Sequence, residues 1–323
     1  MRHESKKIQH VAVSAASFVK NPTLVTELRE LGVNVTLNTL GHVMSRDELM
    51  QFLRDAKPDA VIVGTESVDA AVLDAAPTVQ LIAKYGVGLD NIDEAELKRR
   101  GITLAWTGGV NKRSVSELVL AFALGHFRNA NASMELMRKG QWVKDGGVQL
   151  SNLSVGIVGF GHVGSDLAAL LRAFGSRVVC HDILDKSHEA ASLGVRQVSY
   201  DELLASSDMV TFHVPATEST RGMFSARELK IVRSSALIVN TSRGSVIDFD
   251  STTQALLTGR IGGLALDVYP SEPYHMPPEL AACSRFYATP HIGGNTREAV
   301  LAMGRSAIAG IRDALHPAPT SKG

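Results

Sequence analysis

Residues 152–182 read NLSVGIVGFGHVGSDLAALLRAFGSRVVCHD, and they constrain the fold more tightly than any other stretch of the chain. The apolar, β-branched run Leu153 to Val158 has the length of a buried strand. Gly159-Phe160-Gly161-His162-Val163-Gly164 follows, a G-x-G-x-x-G. A helical run then places Leu167, Leu170, Leu171 and Phe174 on one face, and Gly175 stops it. Val178-Val179-Cys180 opens a second strand ending at His181-Asp182.

Strand, glycine turn, helix, strand and acid is the order a dinucleotide needs. Gly159 allows the tight turn, Gly161 lets a pyrophosphate approach the backbone, and Gly164 lets the helix pack closely on the sheet. The helix start offers unpaired N–H groups and partial positive charge to phosphate. Asp182 stands where a carboxylate accepts hydrogen bonds from ribose hydroxyls and repels a 2′-phosphate, so NAD is expected rather than NADP. The competing readings are an S-adenosylmethionine turn and an ordinary α/β crossover.

Length and charge narrow the rest. A chain of 323 residues implies two domains, and 45% hydrophobic residues suffice for two cores. Lys+Arg and Asp+Glu are both 33, which offers no field for nucleic acid or an acidic membrane, so an anionic substrate must meet local cations. Cys180 and Cys283 make neither a disulfide framework nor a metal cluster, and no metal is expected. The start, MRHESKKIQH, lacks the apolar core of a signal peptide, and no apolar run approaches a membrane span. A soluble cytoplasmic chain is the expectation.

Before the glycine turn, strands and helices alternate. Strands are expected at Ile8 to Ser14, Val33 to Leu37, Asp59 to Val63, Leu81 to Ala83 and Ile102 to Ala105. Helices are expected from Pro22 to about Leu31, after a Ser45–Glu48 capping box, over Val68 to Ala75 and over Glu94 to Arg100. That alternation builds a parallel sheet. Gly86-Val87-Gly88 lies past a strand's carboxyl end and can present N–H groups to an anion, or serve as a plain turn. Ser114 to Lys139 reads as one long apolar helix carrying His126, a packed histidine, and Arg128.

After Asp182 a short segment with Gly194 leads to the strand Met209 to Val214, which delivers His213 and ends in a turn at Pro215. Another strand, Ala236 to Asn240, delivers Thr241, Ser242 and Arg243; Gly262 to Val268 delivers Asp267. A last helix spans Thr296 to Leu315, and the tail HPAPTSKG is expected to fray. Arg243, Glu272 and His291 stand at the ends of these elements. Beside a nicotinamide they fit hydride chemistry on a 2-hydroxy acid: arginine for a carboxylate, histidine for a hydroxyl proton, and a carboxylate to orient the histidine.

With these residues in view, the chain resembles the D-isomer-specific 2-hydroxyacid dehydrogenase family, nearest its D-3-phosphoglycerate dehydrogenase branch. The matching segments are KYGVGLDNID (84–93), NKRSVSELVLAF (111–122), VGIVGFGHVGSDLA (155–168), HVPATESTRGMF (213–224), VNTSRGSVID (239–248), GLALDVYPSEP (263–273) and TPHIGG (289–294). The resemblance implies two doubly wound parallel-sheet α/β domains, a Rossmann cofactor domain over 106–294 and a flavodoxin-like substrate domain over 1–105 completed by 295–323. It implies an active site in their cleft and a homodimer formed through the cofactor domain.

It also implies roles. Arg243 would grip the substrate carboxylate, His291 would be the acid/base and Glu272 its partner. Asp267 would meet the nicotinamide carboxamide; His162 and Val163 would lie on the pyrophosphate. His213, Pro215, Thr241, Ser242 and Gly293 would line the cofactor alongside Gly159, Gly161, Gly164 and Asp182. Val87 and Gly88 would bind the substrate carboxylate through their N–H groups. The expected reaction moves hydride between NAD(H) and C2 of a small D-2-hydroxy acid, anionic in its tail, such as 3-phosphoglycerate or a phosphonate analogue. A glyoxylate or hydroxypyruvate reductase is the alternative, and an NAD(H)-sensing binding protein is a reading of another class. Relatives acting on formate or phosphite match less well.

Two departures matter. The chain ends after the core domains, so feedback through a C-terminal regulatory extension is not expected. Many relatives carry an arginine where His42 stands after Gly41, which weakens the phosphoglycerate reading; Lys112, Arg113 and Arg128 are either the other contacts for a distal anion or surface and interface cations.

Overall fold

The computed structural model describes residues 8–316. The expected fraying of the tail past His316 and the charged start before Ile8 lie outside the described residues. The chain forms two compact units: Met1–Asn111 with Arg297–Gly323, and Lys112–Thr296, in their described parts.

The first unit contains β1 (His10–Val13), α1 (Ala16–Val19), α2 (Pro22–Arg29), β2 (Asn34–Leu37), α3 (Arg46–Ala56), β3 (Ala60–Val63), α4 (Ala70–Asp74), β4 (Leu81–Lys84), α5 (Glu94–Arg100) and β5 (Thr103–Ala105). Its strands pair in parallel in the order β2-β1-β3-β4-β5, a doubly wound sheet with its switch point between β1 and β3. The central strands AVIV and LIAK are buried throughout, as covered parallel strands are. Local chemistry sets the helix ends. Ser45 accepts from the Glu48 N–H while Glu48 reaches back to the Ser45 N–H, and Asn21 caps α2 with Pro22 in its first turn. Gly101, at φ 69°, stops α5 in the left-handed region.

The second unit contains α6 (Lys112–Phe127), α7 (Ala130–Arg138), β6 (Ser154–Val158), α8 (His162–Ala173), β7 (Arg177–His181), α9 (Ser187–Ser192), β8 (Arg196–Gln197), α10 (Tyr200–Ser206), β9 (Met209–Phe212), α11 (Ala226–Ile231), β10 (Leu237–Asn240), α12 (Phe249–Leu257), β11 (Gly263–Leu266), α13 (Pro278–Ala281) and β12 (Phe286–Ala288). The closing helix of the chain, α14 (Arg297–Leu315), belongs to the first unit, where Met303, Ala307, Ile308 and Ile311 join the core beside β1, β3 and β4. The second sheet is parallel and ordered β12-β11-β10-β9-β6-β7-β8, with its switch point between β6 and β9. Each sheet carries a hydrophobic core on both faces.

The run Ser114 to Lys139 is two helices, not one: Asn129 takes φ 49° between α6 and α7, and Val148 donates its N–H to the Phe127 carbonyl released there (2.8 Å). Phe174, expected on the buried face of the glycine-turn helix, is 45% exposed because α8 ends at Ala173. The segment after Asp182, to which the sequence reading assigns no elements, holds α9, β8 and α10. Among the described residues no helix is long and apolar enough to cross a membrane.

Candidate active site

In the second unit β6 feeds the glycine turn at its switch point. Gly159 has φ 91°, and a Cβ there would lie 2.4 Å from the His213 carbonyl oxygen. A Cβ on Gly164 would lie 2.1 Å from the Gly159 carbonyl oxygen, which is how closely the first turn of α8 packs back on the strand end. Around Gly161 a Cβ would meet nothing within 4 Å, and this residue caps α8 without a side-chain hydrogen bond. The first N–H groups of α8, from His162, Val163 and Gly164, therefore face an open approach for an anion. Asp182 ends β7's loop beside this turn. Its Oδ2 accepts from the Phe160 N–H (2.7 Å) and its Oδ1 from the Leu184 N–H (2.9 Å), leaving lone pairs on both oxygens. Ile183, next in the chain, is 91% exposed. An open glycine turn, a helix start without a cap and an acid at the next strand's end fit a dinucleotide.

His213 and Thr241 follow β9 and β10. The Thr211 hydroxyl and His213 Nε2 are 2.9 Å apart, and burial pushes the His213 ring down to about 3, so it is neutral at ordinary pH. The Thr241 hydroxyl is buried without a partner. Pro215 lies in the loop that follows His213.

Arg243 is set by a turn that Asn240 organises. The Asn240 Oδ1 accepts from the Ser242 N–H (3.0 Å) and hydroxyl (2.8 Å), while its Nδ2 donates to the Arg243 carbonyl (2.8 Å). Asn240 was missed as a site residue. Its signal was local: an Asn at a strand end, two residues before a serine, is an Asx turn. The next residue, Gly244, admits no side chain, since a Cβ would lie 2.0 Å from the Tyr269 carbonyl oxygen.

His291 and Glu272 are brought together directly. His291 Nδ1 and Glu272 Oε2 are 2.7 Å apart, and Glu272 Oε1 accepts from the Tyr269 N–H (3.1 Å). A carboxylate only accepts, so Nδ1 carries the hydrogen and Nε2 is the nitrogen left for exchange. His291 takes φ 54°, the left-handed region that non-glycine residues avoid. Asp267 holds it there. Its carboxylate, 1% exposed, accepts from the Thr289 hydroxyl (2.6 Å), the Ile292 N–H (2.7 Å) and the Gly293 N–H (2.8 Å). The Gly293 carbonyl accepts from the Ser114 hydroxyl at the start of α6 (2.6 Å). The sequence reading gave Asp267 to the cofactor and missed this anchoring, which no local motif signals.

In the first unit, Gly86 (φ 134°), Val87 and Gly88 follow β4, and Trp106 Nε1 donates to the Val87 carbonyl (2.9 Å).

Residues 120–293, inside the second unit, match the family model described as D-isomer specific 2-hydroxyacid dehydrogenase, NAD binding domain. The glyoxylate reductase of Thermococcus litoralis is 35% identical over 79% of this chain and 79% of its own length. The chain belongs to the D-isomer specific 2-hydroxyacid dehydrogenase family. It is accordingly an NAD-dependent oxidoreductase. The D-3-phosphoglycerate dehydrogenase of Archaeoglobus fulgidus is 33% identical over 86% of this chain but only 52% of its own length. A putative D-isomer specific 2-hydroxyacid dehydrogenase, NAD-binding, from Polaromonas sp. JS6 66 superposes with a TM-score of 0.84 at 27% identity, covering 95% of this chain and 96% of that one.

Three of the four candidate groups for a distal anion are engaged elsewhere in this dehydrogenase. Arg113 makes a two-point pair with Asp166 (2.9 Å each), which holds that carboxyl below its usual range. Arg128 Nε donates to the Gly146 carbonyl (3.0 Å), and His42 Nε2 sits 3.3 Å from Glu48. Lys112 is exposed at the start of α6. Among the described residues of the dehydrogenase no group of three or more His, Cys, Asp or Glu could hold a metal ion.

Proposed function

We propose that this dehydrogenase reduces a small 2-oxo acid of the glyoxylate or hydroxypyruvate kind at C2, and oxidises the D-2-hydroxy acid in reverse. The observation that carries the reading is the 2.7 Å His291–Glu272 pair, with Nε2 left for the substrate. NADH, when bound, supplies the hydride. Protonated His291 gives its Nε2 proton to the C2 oxygen, so the 2-oxo acid gains one hydride and one proton. Glu272 keeps the ring oriented through its contact with Nδ1. In the second unit Arg243 holds the carboxylate and polarises the C2 oxygen; in the first unit the N–H groups of Val87 and Gly88 are carboxylate donors. His162, Val163, Gly164 and Asp182 bind the pyrophosphate and ribose, and Pro215, Thr241, Ser242 and Gly293 line the nicotinamide half.

A small, neutral tail is favoured over phosphoglycerate because Arg113, Arg128 and His42 each spend a donor on protein groups. NADH oxidation with phosphohydroxypyruvate, phosphonopyruvate, hydroxypyruvate, glyoxylate and pyruvate tests this, with His291→Ala as control. Turnover of glyoxylate or hydroxypyruvate, lost in the variant, is expected. A strong preference for the phosphorus-bearing acids refutes the small-tail reading and makes Lys112 the next mutation. Tight NADH binding without turnover would instead favour a sensing role.

We also propose a homodimer formed through the cofactor-binding unit. Helix α7 has no buried residue, and Met134 (50%), Met137 (52%), Trp142 (75%) and Val143 (56%) are exposed on it and just after it. A sedimentation mass near that of one chain would refute this.

A further inference from the structure

Two polar side chains bracket the loop Tyr85–Asp90 of the first unit, and both end on the same carbonyl. Lys84, the last residue of β4, is 4% exposed. Its Nζ donates to the Gly64 carbonyl (2.5 Å) and to Asn91 Oδ1 (2.7 Å). Asn91 Nδ2 donates to that same Gly64 carbonyl (3.1 Å) and to the Glu66 carbonyl (2.5 Å). Gly64 follows β3, the strand that pairs with β4 and flanks the switch point of this sheet. Glu66, 3% exposed, accepts the Gly64 N–H on Oε2 (2.7 Å), while its Oε1 is buried without a partner. One residue, Gly64, is therefore held by a cation at its C=O and an anion at its N–H.

Buried charge is a costly way to tie a loop, because desolvation opposes it and apolar packing serves stability as well. What the ionic clamp adds is geometry. The loop passes directly over the lysine stem: Gly86 has φ 134°, and a Cβ there would lie 3.2 Å from Lys84 Cε. Trp106 takes the Val87 carbonyl (2.9 Å). In a trans peptide the C=O and the following N–H point opposite ways, so this bond also aims the Gly88 N–H. Entry, exit and one peptide of the loop are each fixed by a different side chain.

We infer that Lys84, acting with Asn91 and Trp106, is a positioning residue that aims the Val87 and Gly88 N–H groups at the substrate carboxylate. This rests on the reading above that the loop binds that carboxylate. Lys84 itself does not touch the substrate; removing it lets the loop drift off its aim.

The test uses the full chain with Lys84→Met, Asn91→Ala and Trp106→Phe. The last removes one N–H at a residue 42% exposed, so it preserves folding if the buried variants fail. The readouts are NADH affinity, kcat and KM for glyoxylate and hydroxypyruvate, and inhibition by oxamate, a carboxylate that is not reduced. The expected result is a rise in KM and oxamate Ki of about tenfold in Lys84→Met and Asn91→Ala and about threefold in Trp106→Phe, with NADH affinity and kcat nearly unchanged. Unchanged KM and Ki in folded variants, or a fall in kcat alone, overturns the inference while leaving the reductase reading intact. A wild-type chain that turns over no 2-oxo acid and ignores oxamate overturns both.

Discussion

Replacing Asp267 by asparagine separates an anchor from a cofactor contact. The carboxylate takes Thr289 and Ile292 on Oδ1 and Gly293 on Oδ2, at 2.6–2.8 Å, and is 1% exposed. An amide of the same shape has one acceptor. With its oxygen toward Thr289 and Ile292, its NH2 faces the Gly293 N–H, donor against donor. One hydrogen bond to a charged group is lost, about 1.5–3 kcal/mol, and a buried donor is stranded, about 1–3 kcal/mol. The expected cost is about 2.5–6 kcal/mol, a large part of a typical folding stability of about 5–15 kcal/mol. The loop can escape part of that cost by pulling Gly293 away, but it then gives up the left-handed His291 (φ 54°), and kcat falls instead. Denaturant unfolding and single-turnover hydride transfer read the two outcomes. A variant within about 0.5 kcal/mol of wild type that keeps its hydride-transfer rate, and shows only weaker NADH binding, would refute the anchoring argument.

Further expectations follow from the same geometry. Glu272→Gln preserves the shape beside His291 Nδ1 but removes the charge 2.7 Å away; kcat is expected to fall by about a hundredfold with NADH affinity unchanged, and an unaltered kcat would remove Glu272 from the mechanism. Asp182→Ala should narrow the preference for NADH over NADPH in kcat/KM, and an unchanged ratio would show that the carboxylate does not read the ribose. Burial, with the charge of Arg285, pushes His126 from 6.5 down to about 4. The unfolded chain therefore takes up this proton before the folded one, so stability is full above pH 6.5 and is lost as pH falls toward 4. His126→Asn should flatten the unfolding midpoint across that window, and an unchanged slope would sink the attribution.

What could be read in advance depended on how far apart the cooperating residues lie in the chain. The glycine turn, the α8 start and Asp182 occupy one continuous stretch, so strand, turn and acid declare themselves from order alone. Capping at Ser45 is equally local. The break between α6 and α7 escaped notice because the polar stretch Arg128-Asn129-Ala130-Asn131 carries no glycine or proline to mark a stop, and its left-handed turn is secured by Val148, 19 positions later. Helices α9 and α10 are short and mostly exposed on one side, and so leave little periodicity to find. Arg243, Glu272 and His291 could be grouped because they stand at the ends of successive elements after a dinucleotide turn, but each alone is an ordinary turn residue, and their individual roles come only with the family resemblance. The anchoring by Asp267 joins residues 22–26 positions apart through a buried carboxylate, a contact that exists only after β11 and β12 pair.

Gly244 has a consequence for redesign. Its backbone rests so closely on the Tyr269 carbonyl that even a methyl group, at 2.0 Å, could not intervene. The turn bearing Arg243 and the turn bearing Glu272 are thereby a single rigid piece, although 29 positions separate the two residues. Chimeras that import one turn from a relative will misfit unless the other travels with it. The practical unit of exchange for this enzyme is the pair of segments 240–246 and 267–274 together.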